Sequence, residues 1–276
     1  MKLAVIGNPI NHSLSPYIHN YWLRDLGKTG IYTKKKVKEE NLAEIVNDVK
    51  NKKFLGVNIT IPFKEKILKY VDEIDEVVKA SLAANTLFLK NNRVVATNTD
   101  GIGFVNSVQR DCRFQLKGKS VFLVGAGGAA RGILSSIIKK EVKEITLQNR
   151  DSSKVEKILK EFKKMSKIKM NKQSWEERKI PESVDLLINA TSLGLKKDEG
   201  LEINLSQMKK TSLVYDIVYA KGQTKLIQEA IKFGLRYQGG HAMLVRQASE
   251  SFKIWFGKYP NEEKVIQLIQ LLEKEK

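Results

Sequence analysis

Short apolar runs alternate with helical patterns along the whole chain, as expected of an α/β protein built on a mostly parallel sheet. Residues 3–6 form the first apolar run. It ends at Gly7-Asn8-Pro9, and a helix is predicted from Pro16, with Ser15 as its N-cap and Gly27 as its stop. Residues 30–37 read as a second strand and 39–49 as a helix. Next, Val57, Ile59 and Ile61 alternate with Asn58 and Thr60; Pro62 ends that strand and can start a helix with Lys64 in its first turn. A helical stretch leads to Ala83-Ala84-Asn85-Thr86. A hairpin follows, with strands 87–89 and 94–96 about Asn91-Asn92. Thr97-Asn98-Thr99-Asp100-Gly101 then opens a helix over 102–108, for which Asp100 suits the N-cap.

The second half is organised by residues 120–132. An apolar run of the length of a buried parallel strand meets Gly125, Ala126, Gly127, Gly128, Ala129 and Ala130, and then a helical pattern. Gly125 and Gly127 hold the first two positions of a dinucleotide fingerprint, and Ala130 the third. The first glycine permits the tight turn and the second lets a pyrophosphate approach the backbone. The small third residue lets helix and strand pack closely, and the free N–H groups of the helix start face the phosphates. Further strands are predicted over 144–148, 184–188 and 213–219, and helices over 153–163, 224–233, 243–256 and 262–272. The polar segment 109–118 reads as a linker.

Length and charge bound the picture. A chain of 276 residues accommodates two domains of ordinary size. It has no apolar run of the roughly 18 residues a membrane span needs, and its start is too short for a signal peptide. One cysteine, Cys112, allows no internal disulfide, and the few Cys and His make a structural metal unexpected; a reducing cytoplasm is the plain inference. The net charge of +18 raises nucleic-acid binding. The lysines are spread along the chain, however, and the densest run, Lys34-Lys35-Lys36-Val37-Lys38, lies in a strand pattern, so a solvated surface is expected and no nucleic-acid partner. A positive field also attracts an anionic substrate and a phosphate-bearing cofactor.

Several polar clusters sit where open α/β sheets bind ligands, at strand carboxyl ends. Ser13 and Ser15, beside a helix start, suit a carboxylate or serve only as a cap and a turn. Lys64 stands beside Asn58 and Thr60. Arg150, after the second strand of the glycine-rich unit, is the residue type that accommodates a 2′-phosphate.

Taken together, these pieces resemble the shikimate dehydrogenase family over almost the whole chain. The matching pieces are Gly7-Asn8-Pro9 with Ser13-Leu14-Ser15-Pro16; Asn58-Ile59-Thr60 with Pro62 and Lys64; Ala84-Asn85-Thr86; and Asn98-Thr99-Asp100-Gly101. They continue with the stretch from Gly125 to Ala130; Asn149-Arg150; Asn189-Ala190-Thr191-Ser192; and Met243-Leu244-Val245 with Gln247. The resemblance implies two α/β domains with a cleft between them. A substrate domain would span 1–101, with 241–276 packing back on it, and a Rossmann-like domain 102–240. It implies NADP-dependent reversible reduction of 3-dehydroshikimate to shikimate, in chorismate and aromatic amino acid biosynthesis, by a monomer or homodimer. Lys64 and Asp100 would flank the reacting oxygen. Ser13, Ser15 and Thr60 would take the carboxylate, and Asn58, Asn85 and Gln247 the ring hydroxyls. Asn149, Arg150 and Lys154 would surround the 2′-phosphate, with Thr191, Ser192, Tyr219 and Gly240 along the rest of NADP.

Three positions depart from the family pattern: Asp151, where threonine is frequent; His241-Ala242 before Met243; and Leu195 after Gly194. Asp151 opposes a phosphate and leaves open a quinate/shikimate dehydrogenase with NAD or mixed cofactor use. A non-catalytic dinucleotide-binding regulator on the same fold is a further alternative.

Overall fold

The computed structural model describes residues 1–196, 199–219 and 222–274. The first unit comprises β1 (Lys2–Gly7), α1 (Ser15–Asp25), β2 (Ile31–Lys36), α2 (Leu42–Lys50), β3 (Gly56–Ile59), β4 (Glu73–Ile74), α3 (Glu76–Ser81), β5 (Thr86–Lys90) and β6 (Arg93–Thr97). Its sheet has the order β2-β1-β3-β5-β6-β4. β1 is parallel to β2 and β3, whereas β5 is antiparallel to β3 and β6. The expected parallel sheet is therefore mixed on this side. Asn91 and Asn92, both at positive φ, supply the tight reversal that makes the pair antiparallel.

α4 (Asp100–Asn106) carries the chain to the second unit, whose elements are β7 (Ser120–Val124), α5 (Gly128–Ile137), β8 (Glu144–Gln148), α6 (Ser152–Phe162), β9 (Lys169–Lys172), β10 (Leu186–Asn189), β11 (Leu213–Asp216), α7 (Lys225–Lys232) and β12 (Arg236–Gln238). All pairs in its sheet are parallel, in the order β12-β11-β10-β7-β8-β9. Chain order reverses between β10 and β7, so the loops after these two strands diverge around a crevice at their carboxyl ends, where such sheets take ligands. The central strands are buried along their whole length, and Leu123, Ile145, Ile188 and Leu213 pack with Ala130, Ile133 and Leu134 of α5.

α8 (His241–Phe256) and α9 (Glu262–Lys274) return to the first unit. Leu244, Val245, Ala248 and Phe252 of α8, with Val265 and Ile266 of α9, share a core with Leu3, Val5, Ile18 and Trp22. Arg246, fully buried, ties this return together: it pairs with Asp111 at 2.6 Å, with Glu263 at 2.8 Å and with Glu262.

Several local expectations are corrected. β3 stops at Ile59, not Ile61, and residues 60–65 form turns; a short 3₁₀ segment starts only at Lys66. Lys64 therefore lies outside any helix. The loop owes its path to backbone bonds at both ends, Thr60 N–H to Ile6 O (2.9 Å) and Ala84 N–H to Lys64 O (2.8 Å). Ser15 is the first residue of α1 and not its cap; Leu14 holds the cap position, with Pro16 in the first turn as expected. Asp100 likewise lies inside α4, with Thr99 at the cap position, which leaves its carboxylate free for other partners. The segment expected as linker begins helical, as a π turn over Ser107–Asp111. The strand predicted over 213–219 ends at Asp216.

Candidate active site

A cavity of about 160 Å³ lies between the two units. The first unit contributes Ser13, Ser15, Asn58, Thr60, Lys64 and Asn85; α4 contributes Asp100; and α8 contributes Met243, Leu244 and Gln247. The second unit contributes Ala129, Thr191, Ser192, Leu195, Tyr219 and Gly240. Every residue expected to flank the reaction or hold the substrate thus lines one cavity.

At its centre Lys64 Nζ lies 2.5 Å from Asp100 Oδ2, with both side chains largely buried (14% and 5% exposed). The other carboxylate oxygen, Oδ1, accepts from Asn85 Nδ2 at 3.0 Å, and the Asp100 backbone N–H donates to Asn98 Oδ1 at 2.9 Å. Asn98 in turn donates to Ala83 O at 2.8 Å. The carboxylate is therefore held through one oxygen by Asn85, with its backbone anchored to Asn98, and its other oxygen holds the ammonium at the cavity wall. Burying a lysine beside a carboxylate is tolerated where the two groups face each other and the remaining polar atoms find partners.

Hydrogen-bond capacity separates the amides. Asn85 Nδ2 donates to Thr99, Asp100 and Gln247, and its Oδ1 accepts from Thr86 and from the Thr99 backbone. An amide offers two donors and two acceptor lone pairs, so Asn85 is fully engaged. Asn58 Nδ2 is shared among Asn85 O, Thr86 Oγ1 and Ser251 Oγ, each at 3.0 Å, while its Oδ1 accepts from the Tyr32 hydroxyl at 2.7 Å. One Oδ1 lone pair remains for a ligand. Gln247 accepts from Asn85 and donates to Leu244 O at 2.8 Å, which leaves one N–H. The capacity left toward the cavity thus differs among the three amides: Asn58 keeps an acceptor, Gln247 keeps a donor and Asn85 is engaged within the wall.

The opposite wall is the glycine-rich turn. Gly125 has φ +121°, and a Cβ there would lie 2.7 Å from Ala190 O of the loop after β10. Only glycine fits that combination. Nothing lies within 4 Å of the Cβ position of Gly127, so the turn is open on that side. Gly127 is the N-cap of α5 and offers no side-chain acceptor, which leaves the first N–H groups of the helix for an anion. Gly128 is packed against the Lys64 side chain, and Ala130 is fully buried against the sheet. Gly125 N–H donates to Gln148 O at 2.8 Å, which brings Asn149 and Arg150 beside the turn. Arg150 and Lys154 are exposed at the start of α6 and do not line the cavity. Asp151 caps that helix: Oδ1 accepts from Ser153 N–H at 3.1 Å and Ser153 Oγ at 2.6 Å, and Lys154 Nζ lies 3.9 Å from Oδ2.

Along the floor, Asn189 Oδ1 accepts from Thr191 N–H (3.1 Å) and Oγ1 (2.7 Å), and Asn189 Nδ2 donates to Asp216 Oδ1 at 2.9 Å. These bonds set the loops that carry Thr191, Ser192 and Tyr219. Burial pushes the Tyr219 phenol up, and the Asp100 charge adds to the effect. The Tyr219 and His241 rings meet edge to face with centroids 6.0 Å apart, so this departure from the family pattern packs against a cavity-lining residue.

Three family models match successive stretches: the shikimate dehydrogenase substrate-binding domain over residues 5–87, shikimate/quinate 5-dehydrogenase over 107–219, and the shikimate 5′-dehydrogenase C-terminal domain over 240–270. The chain belongs to the shikimate dehydrogenase family. It is 37% identical over 268 residues to the NADP(+) shikimate dehydrogenase of Bacillus subtilis strain 168, covering 96% of this chain and 95% of the relative. A shikimate dehydrogenase solved with NADP+ superposes with a TM-score of 0.89 at 32% identity, covering 97% of this chain and 94% of the other. The Thermus thermophilus family member solved with NADP(H) and shikimate superposes at 0.86 and 28% identity, covering 98% of each.

Residues that sequence reasoning gave no role complete the constellation. Thr86 and Thr99 sit inside the quoted motifs, and Ser251 lies one helical turn beyond Gln247, so spacing could have marked them. Tyr32 carries no local signal; only the parallel pairing of β2 with β1, itself beside β3, brings it to Asn58.

Proposed function

We propose that the chain is an NADP-dependent shikimate dehydrogenase, interconverting 3-dehydroshikimate and shikimate. One observation carries the reading: a matched Lys64–Asp100 pair faces a cavity whose opposite wall is a dinucleotide turn, so two ligands can meet there. The turn fits a dinucleotide by the open face at Gly127 and the uncapped start of α5. Asn149, Arg150 and Lys154 would hold the 2′-phosphate, and Thr191, Ser192, Tyr219 and Gly240 the remainder. NADP, when bound, supplies the hydride acceptor or donor.

The chain's own groups do the rest. Ser13, Ser15 and Thr60 offer hydroxyl donors to the substrate carboxylate. Ser13 Oγ accepts from the Ser15 N–H at 3.3 Å, which directs its proton outward. Asn58 and Gln247 meet the ring hydroxyls with the acceptor and donor left to them. During reduction, negative charge grows on the carbonyl oxygen; the Lys64 ammonium stabilises it and delivers a proton. During oxidation the same nitrogen takes up the alcohol proton. Asp100 holds the lysine nitrogen in place in both directions.

The domains divide at 1–101 with 241–276, and 102–240, with the cleft between them. The protein acts as a monomer or homodimer in the cytoplasm. Among the described residues no helix is long and apolar enough to cross a membrane. The reading is tested by shikimate-dependent formation of NADPH with the purified chain. Turnover of shikimate well above quinate is expected, and NADPH binding without turnover of either would contradict it.

A further inference from the structure

Tyr32 stands behind the cavity wall and is not among the residues that line it. It is fully buried, on the edge strand β2 of the first unit's sheet. Its backbone is fixed by a reciprocal pair with Asn20 of α1, Tyr32 N–H to Oδ1 and Nδ2 to Tyr32 O, both at 2.8 Å. Its ring lies flat on His19, with centroids 4.2 Å apart and 7° between planes. His19 is itself buried, and burial pushes its imidazole down to about 3, so it serves as an uncharged platform. What this effort positions is one hydroxyl.

That hydroxyl has a defined polarity. Burial holds the phenol protonated, well above its ordinary range. Its single proton goes to Asn58 Oδ1 at 2.7 Å, because the Asn58 amide nitrogen is engaged by Asn85, Thr86 and Ser251. The carbonyl oxygen of Asn58 on β3 is thus fixed by a residue on β2 that lies outside the cavity lining.

We propose that Tyr32 is a positioning residue for the substrate: its hydroxyl fixes the Asn58 side chain, so that the remaining Oδ1 lone pair meets a ring hydroxyl in one geometry. The inference rests on the reading of this wall as the substrate side. It assigns Tyr32 no contact with the cofactor half of the cavity, and so no effect there.

Tyr32→Phe keeps the ring and its stack on His19 and deletes only the hydroxyl. The expected result is a rise of about 3–10-fold in KM for shikimate, the range of one net hydrogen bond. KM for NADP and kcat should stay within about twofold, with circular dichroism unchanged. The Asn58→Ala variant and the double variant complete a cycle. Because Tyr32 acts through Asn58, Tyr32→Phe should cost less in the Asn58→Ala background than in the wild type. An unchanged KM for shikimate in Tyr32→Phe would overturn the inference. So would an equal rise in both KM values, or strictly additive effects in the cycle, which would still be read if Tyr32→Phe were less stable. A wild type that binds NADP but does not turn over shikimate would instead overturn the functional reading beneath it.

Discussion

The side chain of Lys64 lies so close to Gly128 that a methyl group on that glycine would sit 2.7 Å from the Lys64 Cβ. Lys64 of one unit is thus seated on the first residue of α5 in the other. The adjacent Gly127 has open space instead, with an extended backbone (φ −91°, ψ −175°) that any residue adopts.

The two glycines should therefore fail differently when replaced by alanine. Gly128→Ala must displace Lys64, and a displacement of about 1 Å at a reacting group costs on the order of 10²-fold in rate; the loss is expected in kcat. Gly127→Ala meets no protein atom, so fold and kcat should hold while KM for NADP rises, since its methyl occupies the space a pyrophosphate would need. Steady-state kinetics with both substrates varied distinguishes the two. Equal kinetic defects would show that Lys64 is not seated by Gly128.

Cofactor choice turns on Arg150 and Asp151. Asp151 spends one oxygen on the start of α6, through Ser153, which turns its charge toward the helix end. We expect NADP to be preferred over NAD in kcat/KM, with Arg150→Ala removing about 1.5–3 kcal/mol of that preference. Asp151→Thr, which keeps a capping oxygen, should leave the preference unchanged or sharpen it. A wild type that prefers NAD, reversed by Asp151→Thr, would mean that Asp151 holds the ribose hydroxyls.

Asp216 gives a pH-dependent stability. It is completely buried, and its oxygens accept from Asn189, from Val218 N–H at 3.0 Å and from Thr224 Oγ1 at 2.6 Å, all neutral donors. Burial lifts its carboxyl from the ordinary 3.8 to about 6. The folded protein therefore binds this proton more tightly than the unfolded chain. The stabilisation is complete below about 3.8 and is lost as pH rises through 6. The loss amounts to roughly 3 kcal/mol. Asp216→Asn lacks this dependence. Urea denaturation of both proteins at about pH 4.5 and 7.5 should show the variant gaining on the wild type at the higher pH; a difference that ignores pH, or runs the other way, would contradict the assignment.

The legible part of the site was the part written in local motifs. Lys64, Asp100, Asn85 and Gln247 each stand in a short polar cluster next to an apolar run, and the structure brings them around one cavity. The glycine turn was legible because its strand, turn and helix are contiguous. Pro62 misled, since the path of residues 60–64 is decided by hydrogen bonds to Ile6 and Ala84, which are remote in sequence. The short strands β4 and β9, at sheet edges, left no alternation long enough to read. Tyr32 joins the site only through tertiary packing. The saturation of Asn85 was equally invisible, because its partners are drawn from separate segments of the chain.

The central claim is that the Lys64 ammonium stabilises and protonates the reacting oxygen. It is tested most directly by kcat of Lys64→Ala for shikimate oxidation with NADP at saturation. A fall of about 10²–10⁴-fold is expected, the range of a positioned acid–base group, with KM for either substrate changed far less. A folded Lys64→Ala protein with near wild-type kcat would contradict the account.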